Sequence, residues 1–196
     1  MKNDSNWIIV RIDGKIAAIS TDYRHLASIT ARLAKDCKTR YGEITATTAC
    51  FDEVWQLKET TGWEDMMLFG TDFQKKVWKK LYELTRPENN GSLTPRLISY
   101  SDFAELCQNR AGVRAVAHAV GLNPISILIP CHLVVPKEAI DKMKMINKKA
   151  EATIFKGVDL CLNTILKNEG IDFGNYAMGP GLKRKLISME LTGTDL

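Results

Sequence analysis

Two patterns of hydrophobic and polar positions are present in the first part of the chain. Residues 7–12 and 15–20 are apolar, β-branched runs on either side of Asp13-Gly14, which predicts a β-hairpin with a two-residue turn. In residues 22–36, apolar side chains recur every three or four positions, which predicts an amphipathic helix.

The signals that follow are weaker. Residues 43–51, rich in Thr and Ala, predict a further strand, and residues 53–59 predict a short helix. No catalytic pattern stands out in residues 1–65. We therefore expect a small α+β scaffold in this part of the chain.

A basic amphipathic helix is predicted to begin at Gly70-Thr71-Asp72. Its apolar face comprises Phe73, Val77, Leu81 and Leu84. Its other positions carry Lys75, Lys76, Lys79 and Lys80. These lysines form either an ordinary solvated face or a phosphate-contacting face, and only the second would make binding depend on salt.

Two short helices around a glycine-containing turn follow a loop predicted at residues 86–95. The first helix is predicted to be capped by Ser101, the turn spans residues 107–112, and the second helix spans residues 113–120. Such a pair fits a helix-turn-helix, although any two adjacent helices can produce this pattern.

The second of these helices is built of small residues. Ala115, Ala117 and Ala119 would let it approach another surface closely, and Arg114 adds one planar cation. The pattern fits either a groove-binding helix whose arginine enters the base stack, or tight helix packing beside a surface arginine.

The next segment carries the strongest chemical signal. An apolar run at 125–129 predicts a short buried strand that ends at Pro130-Cys131-His132. Cysteine reacts as the thiolate, so His132 would act as its base through a bridging water. Glu190, the carboxylate of a predicted final helix, would orient the histidine. The residues alone fit equally well with a buried inert thiol and a core histidine.

Residues 137–170 interrupt the compact pattern with a lysine-rich, partly helical insert. It would cover a DNA-binding face, add phosphate contacts, or loop outward, and we favour the outward loop. A glycine-rich loop at 174–181 and a helix at 182–191 complete the pattern.

Composition changes this picture little. The chain has 196 residues, 45% hydrophobic and 26% charged, with a net charge of +4, as in globular proteins. Neither a membrane span nor a signal peptide is indicated. The five cysteines lack C-x-x-C spacing, which predicts free thiols in a reducing compartment. A zinc site of His25, Cys37 and Cys50 is a minor alternative.

Several short motifs, present in one order, carry a resemblance to a known family. They are Gly70-Thr71-x-Phe73-Gln74-x-x-Val77-Trp78, Ser99-Tyr100, Arg114-Ala115-Val116, Asn123-Pro124, Ile129-Pro130-Cys131-His132 and Gly174-Asn175-Tyr176. The chain resembles the O6-alkylguanine-DNA alkyltransferases, also called methylated-DNA–protein-cysteine methyltransferases. The resemblance covers residues 69–136 and 172–191, and residues 1–68 fit it more loosely.

The resemblance implies an α+β fold class with two domains. Residues 1–68 would form a small N-terminal α/β-sheet domain. Residues 69–196 would form a mainly helical, winged helix-turn-helix-like domain that binds DNA, accepts the alkyl group and carries the insert.

The resemblance also implies a role for each matching residue. Cys131 would accept the alkyl group, His132 would be its base through water, and Glu190 would orient His132. Asn123 would brace the turn before the active site. Tyr100 would donate a proton toward N3 of the departing guanine.

The remaining matches concern DNA and the base pocket. Arg114 would take the place of the flipped base. Ala115 and Ala117 would let its helix approach the DNA closely, and Tyr100 would also lie near the DNA. The pocket for the base would be lined by Val120, Val134, Tyr176 and Ala177.

The function implied by the resemblance is direct reversal of DNA damage. O6-alkylguanine, chiefly O6-methylguanine, would be flipped out of duplex DNA, and its alkyl group would pass irreversibly to Cys131. The protein would act once, as a monomer, without cofactor or metal and away from membranes. It would work inside the cell, in the nucleus of a eukaryote or the cytoplasm of a prokaryote. The alternatives are a lesion-binding protein without transfer activity and a cysteine hydrolase.

Two places depart from the family pattern. Leu133 stands where arginine is usual, so a charged structural contact is lost, and Met178-Gly179 stands where two glycines are usual. Cys131 is retained, which argues against the non-catalytic relatives of the family, because they lack this cysteine.

Overall fold

The computed structural model describes residues 6–35, 42–86, 97–152 and 170–193. The chain divides into two compact units, each made of two separate segments. The first unit comprises residues 1–86 and 118–131, and the second comprises residues 87–117 and 132–196. The predicted domain boundary after residue 68 stays a prediction.

A three-stranded antiparallel sheet organises the first unit. Its strands are β1 (Trp7–Ile12), β2 (Lys15–Ser20) and β3 (Ile44–Ala49), in the order β2-β1-β3. The first two strands form the predicted hairpin, whose turn residues Asp13 and Gly14 have φ values of 50° and 79°. Positive φ at both positions is what a tight hairpin turn requires, which explains the Asp-Gly pair.

Three helices belong to the same unit. They are α1 (Tyr23–Lys35), α2 (Phe51–Thr60) and α3 (Asp72–Glu83). Leu26 and Ile29 of α1 pack with Val10, Ile12 and Ala17 of the hairpin in one buried cluster. The predicted helices and the predicted third strand are thus confirmed to within a few residues.

The buried face of α3 differs from the predicted one. Val77 and Leu81 are buried as expected, but Phe73 is 37% exposed, and Trp78 and Tyr82 occupy the remaining buried positions. Both of these rings have polar tips, and each tip donates to a backbone carbonyl oxygen. Burying the two larger rings with their tips satisfied removes more apolar area than burying Phe73 in the first turn.

The lysines of α3 do not act alike. Lys75 and Lys76 are exposed, whereas Lys79 lies over the ring of Trp63 with its Nζ 4.6 Å from the centroid. Lys80 pairs with Glu83 at 2.8 Å. Lys79 and Lys80 therefore make contacts within the unit.

The second unit is mainly helical. Its helices are α4 (Tyr100–Leu106), the first part of α5 (Val113–Gly121), α6 (Lys137–Ala152) and α7 (Pro180–Thr192). Two short strands, β4 (Ile98–Ser99) and β5 (Val134–Val135), pair in parallel. A 3₁₀ turn at Arg110–Gly112 joins α4 to α5, so the predicted helix pair around a glycine-containing turn is confirmed. The α+β fold class is confirmed as well.

The cap of α4 is not the predicted residue. Ser99 is the N-cap, and its Oγ accepts a hydrogen bond from the backbone N of Asp102 at 3.1 Å. The predicted cap, Ser101, already lies inside the helix, where its Oγ is 2.8 Å from Ser99 Oγ. The prediction failed because Tyr100 joins the helix directly after strand β4.

The insert does not simply loop outward. Its first helix, α6, places Ala139, Ile140 and Met143 against a buried cluster that includes Ile171 and Ile187. This apolar face is difficult to recognise in the sequence, because charged residues stand between its apolar positions. The predicted helical stretch near residues 154–166 lies outside the described residues, as does most of the predicted loop at 86–95.

In the described parts of the chain, no helix combines the length and the apolar character that crossing a membrane requires.

The cap assignment predicts that Ser99→Ala lowers the free energy of unfolding by about 1 kcal/mol, because an orphan helix N–H loses its acceptor. Ser101→Ala is the matched control and should cost less, because Ser101 caps nothing. Urea denaturation of the two variants measures both values. An equal or larger loss in the control would contradict the assignment.

Candidate active site

The side chain of Asn123 holds the peptide that leads to Cys131. Its Nδ2 donates to the carbonyl oxygen of Ile129 at 2.8 Å, and its Oδ1 accepts from the N of Ile125 at 3.1 Å. Asn123 itself is buried, so both hydrogen bonds are shielded from water. This arrangement is consistent with the bracing role implied for Asn123.

The strand predicted at residues 125–129 is wrong. Only Ile125 makes a bridge, to Ile19, and the following residues turn, with Ile127 at φ 72°. The N of Ile129 donates to the carbonyl oxygen of Ile125, and the N of Cys131 donates to that of Ile129. An unbroken apolar run indicates burial but does not distinguish a strand from a buried turn.

Cys131 sits at the end of this turn and is buried, with 9% of its surface exposed. Nδ2 of Asn123 lies 3.1 Å from its sulfur, within reach of a hydrogen bond. A donor that points at sulfur stabilises the thiolate more than the thiol. This hydrogen bond favours the thiolate, whereas burial of the sulfur favours the thiol.

His132 follows Cys131 in a 3₁₀ turn, Cys131–Leu133, and belongs to the second unit. Its Nε2 lies 3.1 Å from Oε1 of Glu190, and the two side chains are 0% and 4% exposed. A buried carboxylate next to one ring nitrogen fixes the orientation of the imidazole and stabilises its protonated form. The pairing predicted from the sequence is present in the structure.

Lys183 is a further polar group of this unit that the sequence analysis missed. It is 1% exposed, and its Nζ donates to the carbonyl oxygens of Val134 at 2.9 Å and Asn175 at 3.4 Å. The same Nζ lies 6.0 Å from the ring centroid of Tyr100. One ammonium thus lies close to Val134, to Asn175 and to the ring of Tyr100.

The position of Lys183 in the sequence indicates that it is buried. It precedes the buried residues Leu186 and Ile187 by three and four positions, so it lies on the buried face of α7. A lysine there needs partners, because an isolated buried ammonium is costly. Because a lysine on a helix is usually solvated, composition alone does not indicate its burial.

The glycine-rich loop predicted at residues 174–181, called the closing loop below, has positive φ at two of its glycines. Gly174 has φ 81° and Gly179 has φ 92°. A Cβ on Gly174 would also come within 3.1 Å of Cδ of Pro136. Between the glycines, Tyr176 is half-buried and Ala177 is exposed. Gly179 is retained where the backbone demands glycine, so Met178 replaces the more dispensable of the two usual glycines.

Three of the predicted DNA-contacting residues lie along α5, whereas the fourth, Tyr100, is the first residue of α4. Arg114 and Ala115 are exposed, and Ala117 is half-buried. The predicted pocket residues Val120 and Val134 are buried, at 4% and 0% exposure. Asn123 and Cys131 lie together in the first unit, whereas Tyr100, His132, Val134, Tyr176 and Glu190 all belong to the second.

The alternative zinc site of His25, Cys37 and Cys50 lies only partly within the described residues. Cys37 lies outside the described residues, and His25 places its Nδ1 3.1 Å from Oγ of Ser20. Among residues 6–35, 42–86, 97–152 and 170–193, no group of three or more His, Cys, Asp or Glu side chains is placed to hold a metal ion.

Residues 72–153 match the family model described as "6-O-methylguanine DNA methyltransferase, DNA binding domain". This part of the chain is similar to that domain. The resemblance inferred from the short motifs is thereby confirmed. The matched segment contains the turn, Cys131, His132 and both helices of the helix pair.

Two curated relatives share this segment. A probable methylated-DNA–protein-cysteine methyltransferase of Acanthamoeba polyphaga mimivirus is 47% identical over 73 residues, which cover 37% of this chain and 44% of that protein. The corresponding protein of Haemophilus influenzae is 42% identical over 69 residues, which cover 35% of this chain and 34% of that protein. The chain therefore matches less than half the length of these relatives.

A solved structure supports the fold over most of the chain. The O6-methylguanine-DNA methyltransferase of Pyrococcus kodakaraensis aligns with a TM-score of 0.51 and 22% identity, covering 94% of this chain and 91% of that one. At this identity the likeness concerns the fold alone.

The burial of Leu133 leads to a prediction about the departure from the family pattern. Leu133 is 0% exposed, so restoring the usual arginine as Leu133→Arg would bury a charge in an apolar site. We expect the free energy of unfolding to fall by about 3 kcal/mol or more. Leu133→Met, which conserves volume, should cost less than about 1.5 kcal/mol. Equal stability of the arginine variant in urea denaturation would contradict this account.

A second prediction concerns Lys183. Lys183→Met keeps the length of the side chain but removes the donors to Val134 and Asn175, so the closing loop should open more often. Hydrogen exchange should show faster exchange of the amides between Gly174 and Gly179. Lys137→Met, at an exposed position, is the control and should leave this exchange unchanged. Unaltered exchange in the Lys183 variant would show that the ammonium does not hold the loop.

Proposed function

We propose that this protein repairs DNA by moving an alkyl group from O6 of guanine to Cys131, once per molecule. The observation that carries the proposal is the amide of Asn123, 3.1 Å from the sulfur of Cys131, within the segment that matches the family model. The adjacent residue is a buried histidine paired with a buried carboxylate. Together these features suit a thiolate nucleophile rather than an inert core thiol.

The proposed reaction is a single displacement. The thiol proton of Cys131 passes to His132 through a water, and Glu190 stabilises the imidazolium that forms. The sulfur then forms a bond to the alkyl carbon while the bond from that carbon to O6 breaks. The electron pair of the broken bond stays on guanine. The products are a thioether on Cys131 and free O6 on the base, and no cofactor enters the balance.

The departing guanine must accept a proton to leave easily. We assign this donation to the hydroxyl of Tyr100, directed at N3 of the base. Lys183, close to the face of the Tyr100 ring, would hold that ring and the closing loop in place. Val120, Val134, Tyr176 and Ala177 would line the pocket around the base.

The alkylated base must leave the duplex to reach a buried sulfur. An alkyl group on O6 weakens pairing and lowers the cost of flipping the nucleotide. We assign α5 to the DNA groove, with Arg114 replacing the flipped base and Ala115 and Ala117 permitting close approach. The partner would be double-stranded DNA that contains O6-alkylguanine, bound by a monomer. The place of action would be the nucleus in a eukaryote or the cytoplasm in a prokaryote.

Alkyl transfer is tested by intact-protein mass after incubation with duplex DNA that contains O6-methylguanine. The protein should gain one methyl group, the gain should stop at one per molecule, and peptide mapping should place it on Cys131. Cys131→Ser, which preserves size and polarity, is the control and should gain nothing while keeping its melting temperature. Lesion binding without any mass gain would instead indicate a non-catalytic lesion-binding protein, and sustained turnover would indicate a hydrolase.

The role of Arg114 predicts a difference between substrates. Arg114→Ala should slow alkyl transfer from duplex DNA by at least about tenfold, because the flipped state loses the group that fills the duplex. Transfer from the free base O6-benzylguanine, which needs no flipping, should stay within about twofold. Equal losses on the two substrates, measured as single-turnover rates, would show that Arg114 does not support flipping.

A further inference from the structure

The exposed face of α5 carries more than an arginine and small residues. The exposed positions of this helix are Arg114, Ala115, His118 and Gly121. The opposite face is buried, through Val116, Ala119 and Val120. His118 is therefore the only residue besides Arg114 on the exposed face whose side chain extends beyond Cβ.

On the exposed face of α5, His118 lies about one helical turn beyond Arg114. Residues four apart on an α-helix lie on the same face, about 6 Å apart along the axis. Neighbouring nucleotides of one strand are about 3.4 Å apart. A helix that puts Arg114 at the position of the flipped base would therefore put His118 one or two nucleotides away.

An imidazole is chemically suited to that position. It is planar, it donates a hydrogen bond, and both grooves of DNA present base acceptors. On a face of small residues, a single projecting donor has room to enter the groove without holding the helix away.

We propose that His118 is a second DNA-contacting residue, which donates a hydrogen bond into the groove beside the flipped nucleotide and strengthens binding of the duplex. This inference rests on the proposed function, because it requires α5 to lie on DNA. It assigns the contact to duplex binding alone, without a part in the transfer step at Cys131.

A series of substitutions at this exposed position tests the proposal. His118→Ala should weaken binding of a duplex with one O6-methylguanine about fivefold, as expected for one lost hydrogen bond. His118→Gln retains a donor and should recover most of the affinity, whereas His118→Glu should bind more weakly than His118→Ala because it repels phosphate. Glu138→Ala, exposed on α6, is the control and should not weaken binding. Fluorescence anisotropy gives each dissociation constant.

A second measurement separates failure of this inference from failure of the proposed function. All variants should transfer the alkyl group from O6-benzylguanine to Cys131 at the wild-type rate. If transfer persists but all variants at position 118 bind duplex equally, the inference about His118 is wrong and the proposed function stands. Tighter binding by His118→Ala would also overturn the inference, because the imidazole would then obstruct the groove. Absence of alkyl transfer in the wild type would overturn the proposed function itself.

Discussion

The buried pair of His132 and Glu190 is the interaction on which the second unit depends most. Neither group can be buried alone at low cost, because removing one partner leaves an uncompensated charge or an unsatisfied donor, a loss of about 3–5 kcal/mol for such pairs. The 3.1 Å contact therefore requires α7 to lie against the turn that follows Cys131. A helix fixed in this way can also position other groups.

Lys183 uses the same helix. It precedes Glu190 by seven residues, about two helical turns, so the two side chains lie on one face of α7. One of them fixes the imidazole, and the other donates to β5 and to the closing loop. A single helix thus orders an imidazole, a strand and a loop through polar contacts. All of these contacts lie within the second unit.

In the first unit, the segment that leads to the sulfur of Cys131 is not a regular strand. The Asn123 side chain replaces the backbone ladder that a strand would supply, and it keeps one N–H directed at Cys131. The same amide therefore has a structural and a chemical effect. This explains why an apolar run of five residues folds as a turn.

Much of this arrangement was predictable from the sequence. The hairpin, the helix pair and the pairing of His132 with Glu190 followed from turn residues, helical spacing and ordered short motifs. The strand at 125–129, the Ser101 cap and the outward loop after residue 137 did not hold, because each depends on tertiary partners. The backbones of Ile125 and Ile129 are hydrogen-bonded to the Asn123 side chain. Ser99 is the last residue of β4, and Ala139 packs into a buried cluster. The burial of Lys183 was not predicted, because it depends on carbonyl groups elsewhere in the chain.

The central claim is that His132 and Glu190 act as one unit that activates Cys131. The most direct measurement is a double-mutant cycle of single-turnover transfer rates from O6-benzylguanine, with His132→Gln, Glu190→Gln and the double variant, each checked for folding by its melting temperature. If the pair acts as a unit, each single variant should lose most of the rate, and the double variant should be little slower than either. Wild-type rates in the folded single variants, or losses that simply multiply in the double variant, would contradict the claim.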